Sequence, residues 1–332
     1  MSFDDIDLIG LDTQQSLESG VFPLVVAGDG VEARSMHGGI DAVTAWIAAR
    51  RDELDTLLSV HGAIVFRGFP ITSADDFDAF VRAFDYPGFR HADSLSNAAR
   101  VDRSERVFTA DEAPSDVAIC LRHEMAQTPV YPSRLFFFCE QPAEEAGETS
   151  LCRSDVLWTR IKEELPEFAA AAEARGLLYT DVMPAEDAGS GQGRSSWQST
   201  FMVEDRAGAE ERLRELGYEW SWGEDGSLRA TTPTLPAVLT LDGGAQVFFN
   251  QLIAAFRGRD DPSGAITFGD AAPLDADTVL RICDMADEMT FDIPWEKGDV
   301  ALVDNYLVMH GRRPFRGTRK VLTSLAATGA PA

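Results

Sequence analysis

Two short runs hold the side chains best able to do chemistry: Arg122-His123-Glu124, and His310-Gly311-Arg312 with Pro314-Phe315 and Gly317 ahead of Arg319. The first lies in a segment from Ala118 to Asp155 that reads as strand, loop, strand, turn, strand. The second closes an apolar run that begins at Val300. Along a strand, residues i and i+2 point to one face. Arg122 and Glu124 therefore share a face and His123 points to the other. Two imidazoles and a carboxylate gathered on one side of ferrous iron leave its other side open for ligands and dioxygen. A His-x-Glu pair on one strand and a second His on a distant strand would supply that set, but here the first place of the pair is Arg122. His310 follows an apolar strand, where a lone His is commonly structural, yet the Gly-Arg-x-Pro-Phe after it favours function. Arg319, with Gly317 before it and a strand after it, suits an anion, because a guanidinium matches a carboxylate bidentately. Arg312 and Arg316 offer a second anion contact.

Further motifs keep a fixed order along the chain: His-Glu-Met at 123–125, Tyr131-Pro132, Phe136 to Cys139, Pro142-Ala143, Gly147-Glu148-Thr149 and Phe248-Phe249-Asn250-Gln251. In this order and spacing the chain resembles the taurine dioxygenase-like superfamily of iron(II)/2-oxoglutarate oxygenases. The branch it resembles includes clavaminate synthase-like and syringomycin-type amino-acid hydroxylases. The resemblance runs from about Gly62 to Leu325. It implies Fe(II) and 2-oxoglutarate as cofactors. It puts Glu124 at the metal carboxylate, His310 at the distal metal His, Thr149 and Arg319 on 2-oxoglutarate, and Asn250 at a substrate position facing the cavity. The first metal His of the family falls on Arg122.

Three readings of Arg122 follow. A bulge at 122–123 would turn His123 inward and rebuild the triad, but the spacing from Glu124 to Tyr131-Pro132 shows no added residue. Iron held by Glu124 and His310 alone would sit beside a permanent cation that opposes it. In the favoured reading the guanidinium stands in the metal's place, pairs with Glu124 and leaves no iron, so that neither family cofactor need be retained.

Composition bounds the partners. The 332-residue chain carries a formal charge of −26, from 29 Lys and Arg against 55 Asp and Glu. Such a surface repels nucleic acid and anionic membranes. A carrier protein is compatible with a local basic patch but is not indicated, so a small molecule bearing a carboxylate is the expected partner. The acidic N-terminus lacks a basic region ahead of an apolar run, and no window is long and apolar enough for a membrane span, which sets the cytoplasm as the expected compartment. Cys120, Cys139, Cys152 and Cys283 form no CxxC pair and read as buried free thiols.

The elements that must position these groups are mostly strands. Val21–Ala27, Ala63–Phe69, Gly176–Val182 and Gly298–Val308 are apolar runs. Hairpins are expected over 220–232 and 237–249, turning at Asp225-Gly226 and Asp242-Gly243-Gly244. Helical spacing marks 40–58, 77–84 with Ser73 as cap, 156–174, 205–216 and 275–289. The fold class is mainly β with flanking helices, a double-stranded β-helix or jelly roll. One domain is expected over 1–332, with a helix and strand lead-in over 1–86 and a mobile loop and helix insertion over 184–217. Within that insertion the Gly- and Ser-rich stretch 184–196 is a lid candidate. The stretch 86–116, with His91, Arg100, Arg103 and Arg106, reads as a long functional loop.

Three activities fit this sequence. The first is a tailoring enzyme acting on an amino acid or natural-product intermediate that runs a non-redox step (cyclisation, condensation or hydrolysis) with Arg122, Glu124 and His310 as acid–base or oxyanion groups. The second is an active iron(II)/2-oxoglutarate hydroxylase. The third is a carboxylate-binding protein without turnover.

Overall fold

The structure is a computed structural model. It describes residues 6–28, 38–89, 95, 101, 103–110, 113–186, 196–258 and 264–326. Two sheets face each other. The larger has six strands in the order Leu24–Ala27, Ala63–Arg67, Val300–Asp304, Arg134–Gln141, Lys320–Ala326 and Phe108–Thr109. The smaller has four, in the order Phe291–Ile293, Thr149–Arg153, Val308–Arg312 and Ile119–Arg122. Every pairing in them is antiparallel except Leu24–Ala27 with Ala63–Arg67. This is the jelly roll that the strand pattern predicts.

Alternation along the strands builds three apolar layers. Leu135 and Phe137 point between the sheets, where they meet Leu151, Val308, Val321 and Leu325. Phe136 and Phe138 point the other way, with Ile64, Phe66 and Leu302, and bury the N-terminal helices through Leu54, Phe77 and Phe80. Leu121, Cys152 and Met309 line the outer face of the small sheet against Trp158, Leu252 and Ile282 of three further helices. A strand buried on both faces loses the polar alternation of an exposed one, which is why residues 135–139 of the strand Arg134–Gln141 read as an unbroken apolar run.

Two predicted helices are each divided. The span 40–58 is Ile40–Ala49 and Arg51–His61, broken where Arg50 leaves helical geometry at φ −126°, ψ 18°. The span 156–174 is Ser154–Glu164 and Pro166–Arg175, because a proline ring clashes with a helical residue before it and Leu165 is driven out. Ser73 caps Ala74–Ala83 as expected, in a reciprocal capping box with Asp76. Both hairpins form, at Glu219–Trp222 with Leu228–Thr231 and at Leu239–Thr240 with Gln246–Val247. The former joins Leu177–Met183 and Ile266–Phe268 in a third sheet of four strands. Of the lid candidate, residues 187–195 lie outside the described residues, as do His91 and Arg100. Among the described residues no helix is long and apolar enough to cross a membrane.

Candidate active site

The strand Val308–Arg312 runs between Thr149–Arg153 and Ile119–Arg122, and its register assembles the site. His310 stands opposite Arg122 on one side and Leu151 on the other, and Arg312 stands opposite Thr149. Between the pairs His310–Arg122 and Arg312–Ile119 the register slips, so Ile119–Arg122 carries one residue more than its partner. That β-bulge lets Ile119 and Arg122, three residues apart, both line one cavity while Leu121 enters the layer behind. Gly311 is what the bulge requires: a Cβ there would lie 2.5 Å from the Ile119 carbonyl oxygen. The bulge is thus upstream of 122–123, and it leaves His123 facing away from the cavity.

His123 is fully buried and tilted against Phe249, with ring centroids 4.7 Å apart. Its Nδ1 lies 2.5 Å from the Asn305 carbonyl oxygen and its Nε2 3.1 Å from that of Phe248. Burial pulls the imidazole down to about 3, so the ring is neutral near pH 7 and carries one N–H. The shorter contact, at Nδ1, is the natural place for that proton. Asn305, fully buried, also fixes Glu124. Its Oδ1 accepts the Glu124 N–H at 2.7 Å, and its Nδ2 donates to the carbonyls of Glu124 and Pro132 at 3.1 and 2.7 Å. Sequence reasoning passed over Asn305; the signal was a polar Asp-Asn pair ending the apolar run that leads to His310.

The cavity these strands enclose is about 480 Å³ out to its mouth, and it brings together Arg122, Glu124, Thr149, His310 and Arg319. The Glu124 Oε2 meets His310 Nε2 at 3.2 Å, both side chains being buried. Thr149 Oγ1 accepts from Trp295 Nε1 at 3.0 Å and from Arg319 Nη2 at 3.2 Å. With both acceptor positions taken, the hydroxyl proton is left to serve a further acceptor. Arg319 Nε donates to the Gly147 carbonyl at 2.7 Å. Trp295 was likewise missed, since nothing in Pro294-Trp295-Glu296 marks it.

Two expected residues are placed elsewhere, and a third is engaged otherwise. Asn250 does not line the cavity: it is buried in the wall, with Nδ2 donating to the Ala237 carbonyl at 3.1 Å and Oδ1 accepting the Leu252 N–H at 2.9 Å. Side-chain direction there is set by the helix that begins at Leu252, which the hairpin reading did not include. Arg316 is exposed beside Glu145. Arg312 does line the cavity, but its guanidinium ties down the 113–117 strap through the carbonyls of Ala113, Pro114 and Val117.

Charge decides what the cavity accepts. Among the described residues its lining holds three guanidiniums, those of Arg122, Arg312 and Arg319, and the carboxylate of Glu124. Burial, and then the positive charge of Arg312, lower Arg319 to about 10. Cations crowded in a low dielectric are relieved by an anion. The residues present therefore fit a dicarboxylate such as 2-oxoglutarate, with Arg319 and Thr149 to hold it. They do not fit Fe(II). Glu124 and His310 would be two donors, the third place is a guanidinium, and among the described residues no cluster of three His, Cys, Asp or Glu could hold a metal. A unit charge about 4 Å from a divalent ion costs on the order of 8 kcal/mol at an effective dielectric near 20.

Comparison with known proteins agrees with this architecture. Residues 23–325 match the family model described as taurine catabolism dioxygenase TauD, TfdA family. A clavaminate synthase-like protein of Arabidopsis thaliana is 40% identical over 318 residues, covering 94% of this chain and 96% of its own. The dapdiamide synthesis protein DdaC of Enterobacter agglomerans is 26% identical over 289 residues, covering 82% and 84%. Among solved structures, PvcB from Pseudomonas aeruginosa superposes with a TM-score of 0.55 at 13% identity, covering 98% of this chain and 93% of its own; a structure described as PvcB, an Fe, alpha-ketoglutarate dependent oxygenase from an isonitrile synthetic pathway, superposes with the same TM-score at 12% identity and the same coverage. With a family match that spans nearly the whole barrel and its helices, this chain belongs to the TauD, TfdA family and is an enzyme of the 2-oxoglutarate oxygenase type.

Proposed function

We propose that the protein is a tailoring enzyme for an amino acid or natural-product intermediate in which Arg122 has displaced the metal and the reaction is non-redox. The observation that carries this reading is the register pair Arg122–His310 in the cavity where Glu124 meets His310. Glu124 and His310 are within reach to share a proton and so to act as acid and base. Arg122, on the same wall, stabilises negative charge that develops on the substrate and pairs with Glu124 between turnovers. Arg319 and Thr149 hold a carboxylate, on either 2-oxoglutarate or the substrate itself. A sequence relative named for a biosynthetic route, the dapdiamide synthesis protein DdaC, supports a tailoring role.

Family membership favours a second reading, an active Fe(II)/2-oxoglutarate hydroxylase, and one titration separates the two. Wild-type protein and Arg122→His are loaded anaerobically with Fe(II), desalted and assayed for bound iron. The expected result is negligible iron on the wild type and close to one equivalent on Arg122→His. Stoichiometric iron on the wild type would overturn the non-redox reading.

A further inference from the structure

Two of the cationic groups that line the cavity stand on opposite sides of the strand Val308–Arg312. On one side Arg122 pairs with His310. On the other Thr149 pairs with Arg312, and Arg319 Nη2 donates to Thr149 Oγ1 at 3.2 Å. Arg122 and Thr149 are thus two strand spacings of about 4.8 Å apart across the sheet and two residues of about 3.4 Å apart along it, or about 12 Å between α-carbons. Side chains on one face stand roughly perpendicular to their sheet, so the tips keep about that spacing. The facing six-stranded sheet lines the same cavity with Leu135, Phe137, Val321 and Leu325. Two polar anchors therefore share one apolar wall.

This outline fits a linear diacid. An extended five-carbon diacid puts its outermost oxygens about 7 Å apart. A hydrogen bond of about 2.8 Å at each end brings the span to about 12–13 Å. Its methylenes then lie against the apolar wall. Charge agrees with length: among the described lining residues three guanidiniums and one carboxylate leave two positive charges in excess, and a dianion brings two negative ones. A guanidinium carries five N–H donors, so a ligand carboxylate can share Arg122 with a partner in the protein. Glu124 meets His310 Nε2 at 3.2 Å, and that contact keeps it in place when a ligand carboxylate reaches Arg122. The chemistry of the grip also differs from that of a metal. A metal ion takes lone pairs from a keto oxygen and a carboxylate together, whereas a guanidinium fork matches the two oxygens of a carboxylate and asks nothing of a neighbouring ketone.

We propose that Arg122 at one end and Arg319 with Thr149 at the other clamp a linear five-carbon dicarboxylate without a metal, so that a 2-oxo group on the ligand is dispensable. The inference rests on the reading that Arg122 stands in the metal's place, and the two fail separately: that reading falls on iron bound by the wild type, this one on titrations of metal-free protein. The full chain is passed over a chelating resin and titrated calorimetrically with glutarate, 2-oxoglutarate and pentanoate, the last having the same carbon number and one carboxylate. Glutarate binds within about threefold of 2-oxoglutarate and about tenfold or more tighter than pentanoate, the scale of a charge-assisted hydrogen bond. Arg122→Gln brings glutarate to the affinity of pentanoate and leaves pentanoate unchanged, and Arg122→Lys, which keeps the charge, restores most of the preference. Arg319→Gln weakens all three ligands. Circular dichroism melting curves establish that each variant is folded. The proposal is overturned if glutarate shows no binding, if 2-oxoglutarate outbinds it by more than about threefold, or if a preference for glutarate over pentanoate is lacking in the wild type or survives in Arg122→Gln.

Discussion

The groups proposed to act in the cavity are held by residues outside its lining, and Asn305 shows this most clearly. One buried amide satisfies the N–H and C=O of Glu124 together with the Pro132 carbonyl, and the Asn305 carbonyl orients His123. Asn305→Ala would orphan three backbone groups where water cannot replace the amide. At about 1–3 kcal/mol for each group stranded, partly relieved by local shifts, the expected loss is roughly 3 kcal/mol of unfolding free energy. Urea denaturation monitored by circular dichroism checks this. A loss under about 1 kcal/mol would mean that the Glu124 backbone finds other partners and that Asn305 does not set its position. Asn250 makes a useful contrast. Its amide binds Ala237 and Leu252, one contact fewer, and neither contact is to a cavity-lining residue.

At the scale of elements, the bulge in Ile119–Arg122 and the glycine facing it act as one device. Gly311→Ala would drive a Cβ to within 2.5 Å of the Ile119 carbonyl oxygen, with further backbone at 3.3 Å, so the strands must part or the register must regularise. Overpacking of this kind costs about 1–3 kcal/mol. The specific outcome expected is functional. Affinity for 2-oxoglutarate, measured calorimetrically, falls more than that of Arg316→Ala, because Gly311 separates His310 from Arg312, the residue paired with Thr149. Equal affinities in the two variants would show that the bulge does not position the anion site. The same pairing marks what was legible in the sequence. Alternation and apolar runs located the strands that carry Arg122, His310 and Thr149, and the i, i+2 rule placed Arg122 and Glu124 in one cavity with His123 behind it. The bulge was not legible at its true place, because a one-residue slip shows only against the partner strand. Helix breaks at Arg50 and Leu165 were hidden by continuous helical spacing, although Pro166 signalled the second. The direction of Asn250 depended on a six-residue helix too short for periodicity to reveal.

On the scale of the whole molecule, two fields of opposite sign act on an approaching carboxylate. The chain carries a formal charge of −26, yet the cavity lining is basic. Which field governs depends on screening. A chain of this length has a radius of gyration of about 20 Å. The Debye length is about 30 Å at 0.01 M salt and about 8 Å at 0.15 M. At low salt a dianion therefore feels the net negative charge throughout its approach and is repelled. At the higher salt that repulsion is screened, while Arg319, Arg122 and Arg312 still act over the last few ångströms. The association rate of 2-oxoglutarate should thus rise with salt, on the order of tenfold over this range, the reverse of the usual behaviour of a ligand drawn to a basic site. Stopped-flow measurements in potassium chloride, with the rate followed by intrinsic tryptophan fluorescence, provide the check. A rate that falls with salt would show that the arginines project their field beyond the mouth and steer the anion in, and that the acidic surface takes no part in selecting what enters.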